Sequence, residues 1–273
     1  MSRHVRLCAA VSLVVSLGGV THTQPGSVRE DAYRQVNVGI GHLERYDFAA
    51  AARAFRTALK LDASLTIARL NLSIAELYSG NLEEAALHAR AAIARSPESP
   101  NAHFVAGLVS RAANTPTEAI AAFQRVLEID PEDVGSRIHL GQIHSAERRY
   151  AEAATQFQAA LAREPFNATA AYGLATSLVR AAQRVEGEAA MARFEALRDN
   201  PAAITYSTNY LEQGRYGEAL APSGLEAGLV DAAVPPRRFV DVAALRRQPV
   251  RSRGPRAPAP RHIVLARGSW LSR

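Results

Sequence analysis

The sequence contains a single cysteine, Cys8, among its 273 residues. An internal disulfide is therefore impossible, and so is a zinc site built on several cysteine ligands. Aromatic residues make up only 6% of the chain, while alanine is abundant. This composition favours closely packed helices over a β-sandwich, which needs β-branched and aromatic side chains. The apolar fraction of 48% excludes a chain that is disordered throughout.

Lysine is almost absent, since 31 of the 32 basic residues are arginine and Lys60 is the exception. The charge is also uneven along the chain. Residues 237–273 contain ten arginines and one acidic residue, whereas residues 1–236 contain 22 basic and 25 acidic residues. The isoelectric point of about 9.9 therefore describes the tail. The body of the chain is mildly acidic and is not expected to bind nucleic acid.

The N-terminus has the pattern of a secretory signal peptide. The basic residues Arg3 and Arg6 are followed by an uncharged apolar run over residues 7–20 and then by polar residues. As a helix this run of 14 residues would be about 21 Å long, less than the core of a bilayer. We therefore predict that residues 1–23 are a signal peptide and that the chain is exported to the periplasm or the extracellular space. The alternative is an uncleaved segment that anchors the chain in a membrane.

A repeat of 34 residues occupies the centre of the sequence. Four segments align without gaps: 32–65, 66–99, 100–133 and 134–167. The eighth position is always small, as Gly39, Ser73, Gly107 and Gly141. The twentieth position is always alanine, and the twenty-fourth is phenylalanine in three units, as Phe55, Phe123 and Phe157. The thirty-second position is proline in three units, as Pro97, Pro131 and Pro165.

Packing explains these residue types. Each unit is long enough for two helices of about 12–14 residues and two tight turns. Small residues at the eighth and twentieth positions let the two helix backbones approach closely, and the phenylalanine fills the space beside them. Proline at the thirty-second position has no N–H to donate and ends the second helix.

This set of positions resembles the tetratricopeptide repeat (TPR). The resemblance implies an all-α fold, a right-handed α-solenoid of helix–turn–helix repeats over residues 28–221. It is regular over residues 32–167 and continues in weaker form over 168–199 and 200–221. A degenerate last unit is expected, because a terminal repeat has to cover an apolar end.

The two degenerate units carry more detailed expectations. In the fifth unit, residues 168–180 are expected to form the first helix and residues 188–198 the second, after a loop that is longer by about three residues. In the sixth unit, residues 210–219 match the middle of a repeat, and Pro222 is expected to cut its second helix short.

The sequence shows no motif that indicates catalysis or a cofactor. It has eight histidines but no His-Glu-x-x-His, no phosphate-binding loop, no dinucleotide fingerprint and no Gly-x-Ser-x-Gly. His139 and His144 lie five residues apart on different helix faces, so we expect a surface or semi-buried structural role for both. Asn71 and Asn167 match the glycosylation sequon, but Asn71 lies inside a predicted packed helix and both matches are taken as accidental. We predict a non-enzymatic protein without a metal or cofactor.

In a TPR array, as the resemblance implies, the first helix of each repeat lines a concave groove. An exposed strip of this kind is expected to bind a peptide or a helix of a partner protein. Seven side chains on this face are not used by the repeat signature, and we predict that they contact the partner: Tyr33, Asn101, Phe104, Arg111, Gln142, Tyr172 and Arg180.

These seven side chains differ in the roles expected of them. Phe104 and Tyr172 would supply buried area, while Arg111 and Arg180 would pair with an acidic residue of the partner. Asn101 and Gln142 would hold its backbone. The alternative is that the two aromatic rings only wedge between neighbouring helices.

The C-terminal stretch, residues 222–273, is predicted to be a linker followed by a disordered tail rich in arginine and proline. Residues 239–242, Phe-Val-Asp-Val, resemble the segment that follows the repeats in secreted bacterial TPR proteins with an FG-GAP propeller and an ASPIC/UnbV-type domain. That resemblance implies that the chain is the N-terminal part of such a protein.

The leading hypothesis is thus an exported scaffold that binds an unidentified protein or peptide in the groove of a TPR array. One alternative is the accessory TPR region of a truncated longer secreted protein or enzyme. Another is binding of an anionic surface or nucleic acid by the arginine-rich tail. The tail lacks aromatic residues interleaved with its arginines, which argues against the nucleic-acid alternative.

Overall fold

The computed structural model describes residues 28–198 and 200–222. The predicted signal peptide, residues 1–23, and the predicted tail after residue 222 lie outside the described residues. Within them the chain forms ten α-helices: α1 Val28–Leu43, α2 Phe48–Leu61, α3 Thr66–Tyr78, α4 Leu82–Arg95, α5 Pro100–Ala112, α6 Pro116–Ile129, α7 Val134–Ala146, α8 Tyr150–Arg163, α9 Ala168–Arg180 and α10 Arg184–Arg198.

The helices pack as consecutive pairs, α1 with α2 through α9 with α10, and each pair packs against the next. The first helices of neighbouring pairs also contact one another, as α3 does with α5 and α7 with α9. The predicted all-α solenoid of helix–turn–helix repeats is therefore confirmed. None of the helices within residues 28–198 is long and apolar enough to cross a membrane.

The same turn joins the two helices of every pair. Its central residue has a positive φ in all five pairs, and these residues are spaced by 34: Tyr46 (59°), Gly80 (82°), Asn114 (55°), Arg148 (63°) and Ala182 (63°). The next residue donates its N–H to a carbonyl five positions back, for example Asn81 to Glu76 at 2.9 Å. This left-handed turn ends the first helix and reverses the chain. Because the fifth pair keeps it, α10 begins at Arg184, and the predicted longer loop before residue 188 is wrong.

The small residues and phenylalanines of the signature meet inside each pair. A Cβ atom added to Gly107 would lie 2.8 Å from the ring of Phe123, and one added to Gly141 would lie 2.8 Å from the ring of Phe157. Phe123 has no exposed surface, and Phe157 is 2% exposed. Only glycine leaves room for the ring at the eighth position, and the ring in turn fills the space between the two helices.

Replacing Gly107 with leucine is expected to destabilise the array by about 1–3 kcal/mol, because the added side chain has to push the Phe123 ring and α6 away from α5. Urea denaturation followed by far-UV circular dichroism measures this change. Gly41→Leu is the matched control, since a Cβ atom at Gly41 meets nothing within 4 Å. Equal stability of the two variants would contradict the helix contacts described above.

The sixth unit is not a repeat. Residues 200–222 form one short 3-10 turn, Tyr210–Glu212, and otherwise have neither a helix nor a strand ladder. The prediction of a degenerate helix pair at 200–221 is wrong for a physical reason. Gly214, with φ of 113°, and Gly217 weaken a helix here, and Pro222 would end it within eight residues. The segment instead folds back onto the first helices of the array.

Candidate functional site

Residues 204–222, which we call the strap, lie over the first helices α3, α5, α7 and α9. We call the surface that they cover the groove. The strap contacts Thr169 on α9, His139 on α7, Phe104 on α5 and Asn71 on α3. The face that the sequence predicts as a partner-binding surface is therefore partly covered in this structure by residues 204–222 of the same chain.

The groove holds both ends of the strap by its backbone. At the α9 end, the Ile204 N–H donates to the Phe166 carbonyl at 2.9 Å, and the Ile204 carbonyl accepts from the Ala168 N–H at 2.8 Å. At the α3 end, the Asn71 amide donates to the Leu220 carbonyl at 2.9 Å and accepts from the Leu220 N–H at 2.9 Å. Asn71 is fully buried. Its side-chain amide therefore pairs with the backbone of Leu220 in the way that the backbone of a neighbouring β-strand would.

A buried polar network lies under the middle of the strap. The Arg111 guanidinium donates to the His139 Nδ1 at 2.7 Å and to the Gln142 Oε1 at 2.8 Å. The His139 Nε2–H donates in turn to the Gln213 carbonyl at 3.0 Å. Because Nδ1 accepts and Nε2 donates, these partners fit the neutral imidazole with its proton on Nε2.

Burial and the neighbouring Arg111 cation both disfavour a charged imidazole in this network. Burial, and to a smaller extent the positive charge of Arg111, lower the pKa of His139 to about 3. Burial also lowers the pKa of Arg111 from its ordinary value. The network is therefore held by hydrogen bonds to a neutral ring, and it fixes the Gln213 carbonyl without an ion pair.

An acidic subsite receives the next part of the strap. Asp130 and Asp133, in the turn before α7, both bond to the Arg215 guanidinium, Asp133 at 3.4 Å. The Tyr216 hydroxyl donates to Asp130 at 2.7 Å, and Arg215 lies 4.7 Å from the centre of the Tyr216 ring. Asp133 is 1% exposed and also caps α7 by accepting from the Ser136 N–H at 2.7 Å. Burial raises the pKa of Asp133.

Aromatic and glycine contacts complete the fit. The Tyr210 ring is 2% exposed and meets the rings of Tyr78, at 5.6 Å between centroids, and Phe48, at 6.5 Å. A Cβ atom on Gly214 would lie 3.2 Å from the Cα of Gly135. The strap therefore crosses α7 at a point where neither the strap nor the helix has a side chain. This close approach brings the strap backbone within reach of His139.

The structure separates the seven sequence-predicted residues into three groups. Phe104, Arg111 and Gln142 lie under the strap: Phe104 is fully buried between the Phe123 ring at 5.3 Å and the Tyr216 ring at 6.3 Å. Tyr33 is 5% exposed and lines the cavity beside the strap's end, and Asn101 is half-buried on α5.

The other two predicted residues lie away from the strap. Tyr172 is 51% exposed and contacts the Phe194 ring at 5.2 Å. Arg180 lies 5.7 Å from the centre of the Tyr150 ring. Neither contact involves the groove residues that hold the strap.

Sequence reasoning missed Asn71, His139 and the aspartate pair. The expectation of a surface or semi-buried place for His139 and His144 is wrong, since they are 1% and 5% exposed. Both are buried because α7 packs against α6, α8 and α9 and is covered by the strap. An asparagine in the middle of an alanine- and leucine-rich helix was the available signal for Asn71, since a buried amide needs partners.

The strap leaves part of the groove open. Beyond Leu220 lies a cavity of about 410 Å³ that is lined by residues of α1, α3 and α5, among them Tyr33 and Leu70. An extended chain that followed the path of the strap would continue into this cavity. In the described part of the chain, no group of three or more histidine, cysteine or acidic residues is placed to hold a metal ion.

Comparison with known proteins agrees with this architecture. Two family models described as tetratricopeptide repeat match the chain, one over residues 70–134 and the other over residues 110–178. Residues 70–178 are therefore tetratricopeptide repeats. No curated protein matches the chain in sequence.

Similar solved structures include MamA of Desulfovibrio magneticus, with a TM-score of 0.58 and 16% identity over 64% of this chain and 98% of that one. PilF of Pseudomonas aeruginosa has a TM-score of 0.56 and 20% identity over 62% of this chain and 77% of its own. YrrB, described as a TPR protein with an unusual peptide-binding site, has a TM-score of 0.53 and 21% identity over 63% and 89%. At these identities the likeness is one of fold.

Proposed function

We propose that this chain is a non-catalytic protein-interaction scaffold that binds an extended peptide segment of a partner in the groove of its TPR array. We also propose that the chain is exported, on the sequence of residues 1–23 alone. The groove offers hydrogen-bonding side chains, buried aromatic rings and an acidic subsite on rigid helices, which are the elements that peptide-binding surfaces use.

The Asn71 side chain carries the proposal. Its buried amide pairs with both the N–H and the carbonyl of one strap residue, Leu220. These two bonds recognise the peptide backbone and do not depend on the side chain. Any extended segment can therefore form them. His139 adds a second backbone contact, to the Gln213 carbonyl, about midway along the strap. YrrB, a structure of the same fold, is described as having a peptide-binding site, which agrees with this proposal.

Peptide selection on the full chain tests the proposed function. A random library of displayed linear peptides is selected on the purified protein, and the enriched peptides are synthesised and titrated by fluorescence anisotropy. We expect Asn71→Ala to weaken their binding at least tenfold, because two hydrogen bonds to the peptide backbone are lost. Alanine favours the helix, so circular dichroism should show α3 intact.

Gln124→Ala is the matched control, since Gln124 is an exposed amide on the second helix α6. It should leave binding unchanged. Peptides that bind the Asn71→Ala and wild-type chains equally well would contradict the proposed function, as would a selection that enriches no binder even on a chain whose strap is released by the Gly214→Val substitution described below.

A further inference from the structure

We propose that the strap is a built-in competitor for the groove, and that the partner segment presents the same chemistry: an arginine followed directly by an aromatic residue, with a second aromatic residue about five positions before the arginine. This inference rests on the proposed function and adds the kind of segment that the groove selects. The strap supplies these groups as Arg215, Tyr216 and Tyr210.

The acidic subsite is the first reason to expect an arginine. Asp130 and Asp133 bring two carboxylates to one guanidinium, and Asp133 is almost fully buried. A buried carboxylate that loses its cation loses the partner that offsets its desolvation. Any segment that replaces the strap without a cation at this position therefore leaves Asp133 with its bond to the Ser136 N–H and the charge of Arg137, so the subsite discriminates in favour of arginine.

The aromatic positions follow from the neighbouring contacts. The Tyr216 ring lies against Phe104 and under the Arg215 guanidinium, and its hydroxyl reaches Asp130. Tyr210 occupies a separate pocket between Phe48 and Tyr78, where it is almost fully buried. The two aromatic pockets and the cation site lie at fixed positions, and the strap reaches all three in its turned conformation. The spacing of the three side chains along the strap therefore defines a sequence pattern for a competing segment.

The strap is built to be displaced by such a segment. Apart from one 3-10 turn it has no internal helix or ladder, and Leu211 remains 45% exposed while Arg215 remains 57% exposed on its side chain. Its attachment to α10 by a few residues gives it an effective concentration on the order of millimolar at the groove. A partner segment has to bind the groove more strongly than this tethered strap does. An added peptide should therefore bind the intact chain weakly and a chain with a released strap tightly.

A labelled synthetic peptide of residues 204–222 is the probe, titrated against full-length chains by fluorescence anisotropy. The chain variant Gly214→Val releases the strap, because a β-branched residue is strained at a φ of 113° and its side chain would strike Gly135 of α7. We expect the peptide to bind this chain at least tenfold more tightly than the wild type. Gly41→Val, at an open position on α1, is the matched control and should bind as the wild type does.

Peptide variants test the selectivity on the Gly214→Val chain. Replacing Arg215 in the peptide by alanine should weaken binding at least tenfold, since charge-assisted hydrogen bonds to Asp130 and Asp133 are lost. Replacing the exposed Glu218 in the peptide by alanine should leave binding unchanged.

Equal binding of the peptide to the wild-type and Gly214→Val chains would overturn the competitor role, and unchanged binding of the Arg215→Ala peptide would overturn the arginine preference. Concentration-dependent dimerisation of the Gly214→Val chain in sedimentation, without peptide binding, would show instead that a second copy fills the groove. Library peptides that need Asn71 but lack the arginine–aromatic pair would leave the proposed function standing and refute this inference alone.

Discussion

Replacing Phe123 with alanine is expected to lower the free energy of unfolding by about 3–5 kcal/mol. The ring has no exposed surface and fills the space beside Gly107 between α5 and α6. It also stacks on the His139 ring at 4.8 Å and meets the Phe104 ring edge-on at 5.3 Å. Truncation would leave a cavity below the centre of the strap, bordered by the His139 and Phe104 rings.

Urea denaturation at neutral pH measures this loss. Phe166→Ala is the matched control because the Phe166 side chain is 52% exposed, and its truncation should cost less than about 1 kcal/mol. Similar costs for the two variants would show that the 34-residue signature does not place its phenylalanines in the core.

Acid is expected to destabilise the protein through His139. Its pKa is about 3 in the folded chain, compared with about 6.5 for an unfolded histidine. Folding therefore favours the neutral ring, so this contribution to stability is complete above pH 6.5 and is lost as the pH falls from 6.5 towards 3. The loss is about 1.4 kcal/mol per pH unit in this window, or about 2 kcal/mol at pH 5.

The His139→Gln variant isolates this contribution from the carboxyl groups, which titrate in both proteins. Glutamine keeps a donor for the Gln213 carbonyl and an acceptor for Arg111 but has no charge to gain. The stability difference between pH 7 and pH 5 should therefore be smaller in this variant by about 2 kcal/mol. An unchanged difference in the His139→Gln variant would contradict the buried neutral ring.

The helix pairs could be predicted from the sequence because their determinants are local. Gly107, Ala119 and Phe123 lie within 17 residues of one another, and the same spacing recurs in each unit. The loop of the fifth pair is predicted wrongly because the signature positions of this unit hold other residue types. Ala182 nevertheless keeps the turn in register.

The strap could not be predicted because its contacts are distant in sequence. Asn71 and Leu220 are separated by 149 residues, and no local pattern links them. Residues 214–219 even resemble the start of a second helix, as in the fourth unit at Arg149 and Tyr150. Tertiary contacts with Asp130 and His139 hold this sequence in a turn against the groove, and these outweigh a weak local preference for helix.

The candidate site was predicted in part for the same reason. Helix position placed Phe104, Arg111 and Gln142 in the groove, because side chains at fixed positions of each first helix share one face. The partners of Arg111 could not be inferred from position. The sequence predicts that Arg111 pairs with an acidic residue of a partner, whereas in the structure its guanidinium donates to His139, Gln142 and Gln213.

Hydrogen–deuterium exchange of residues 204–222 in the full chain tests the central claim most directly, that the groove holds an extended segment and that the strap occupies it. The amides of Tyr206 and Leu220 donate to groove side chains, Thr169 and Asn71, and should be protected in the free protein. A saturating groove-binding peptide should make both exchange faster while the helix amides of α3 stay protected. Rapid exchange of the strap amides without peptide, or protection that the peptide leaves unchanged, would contradict the account.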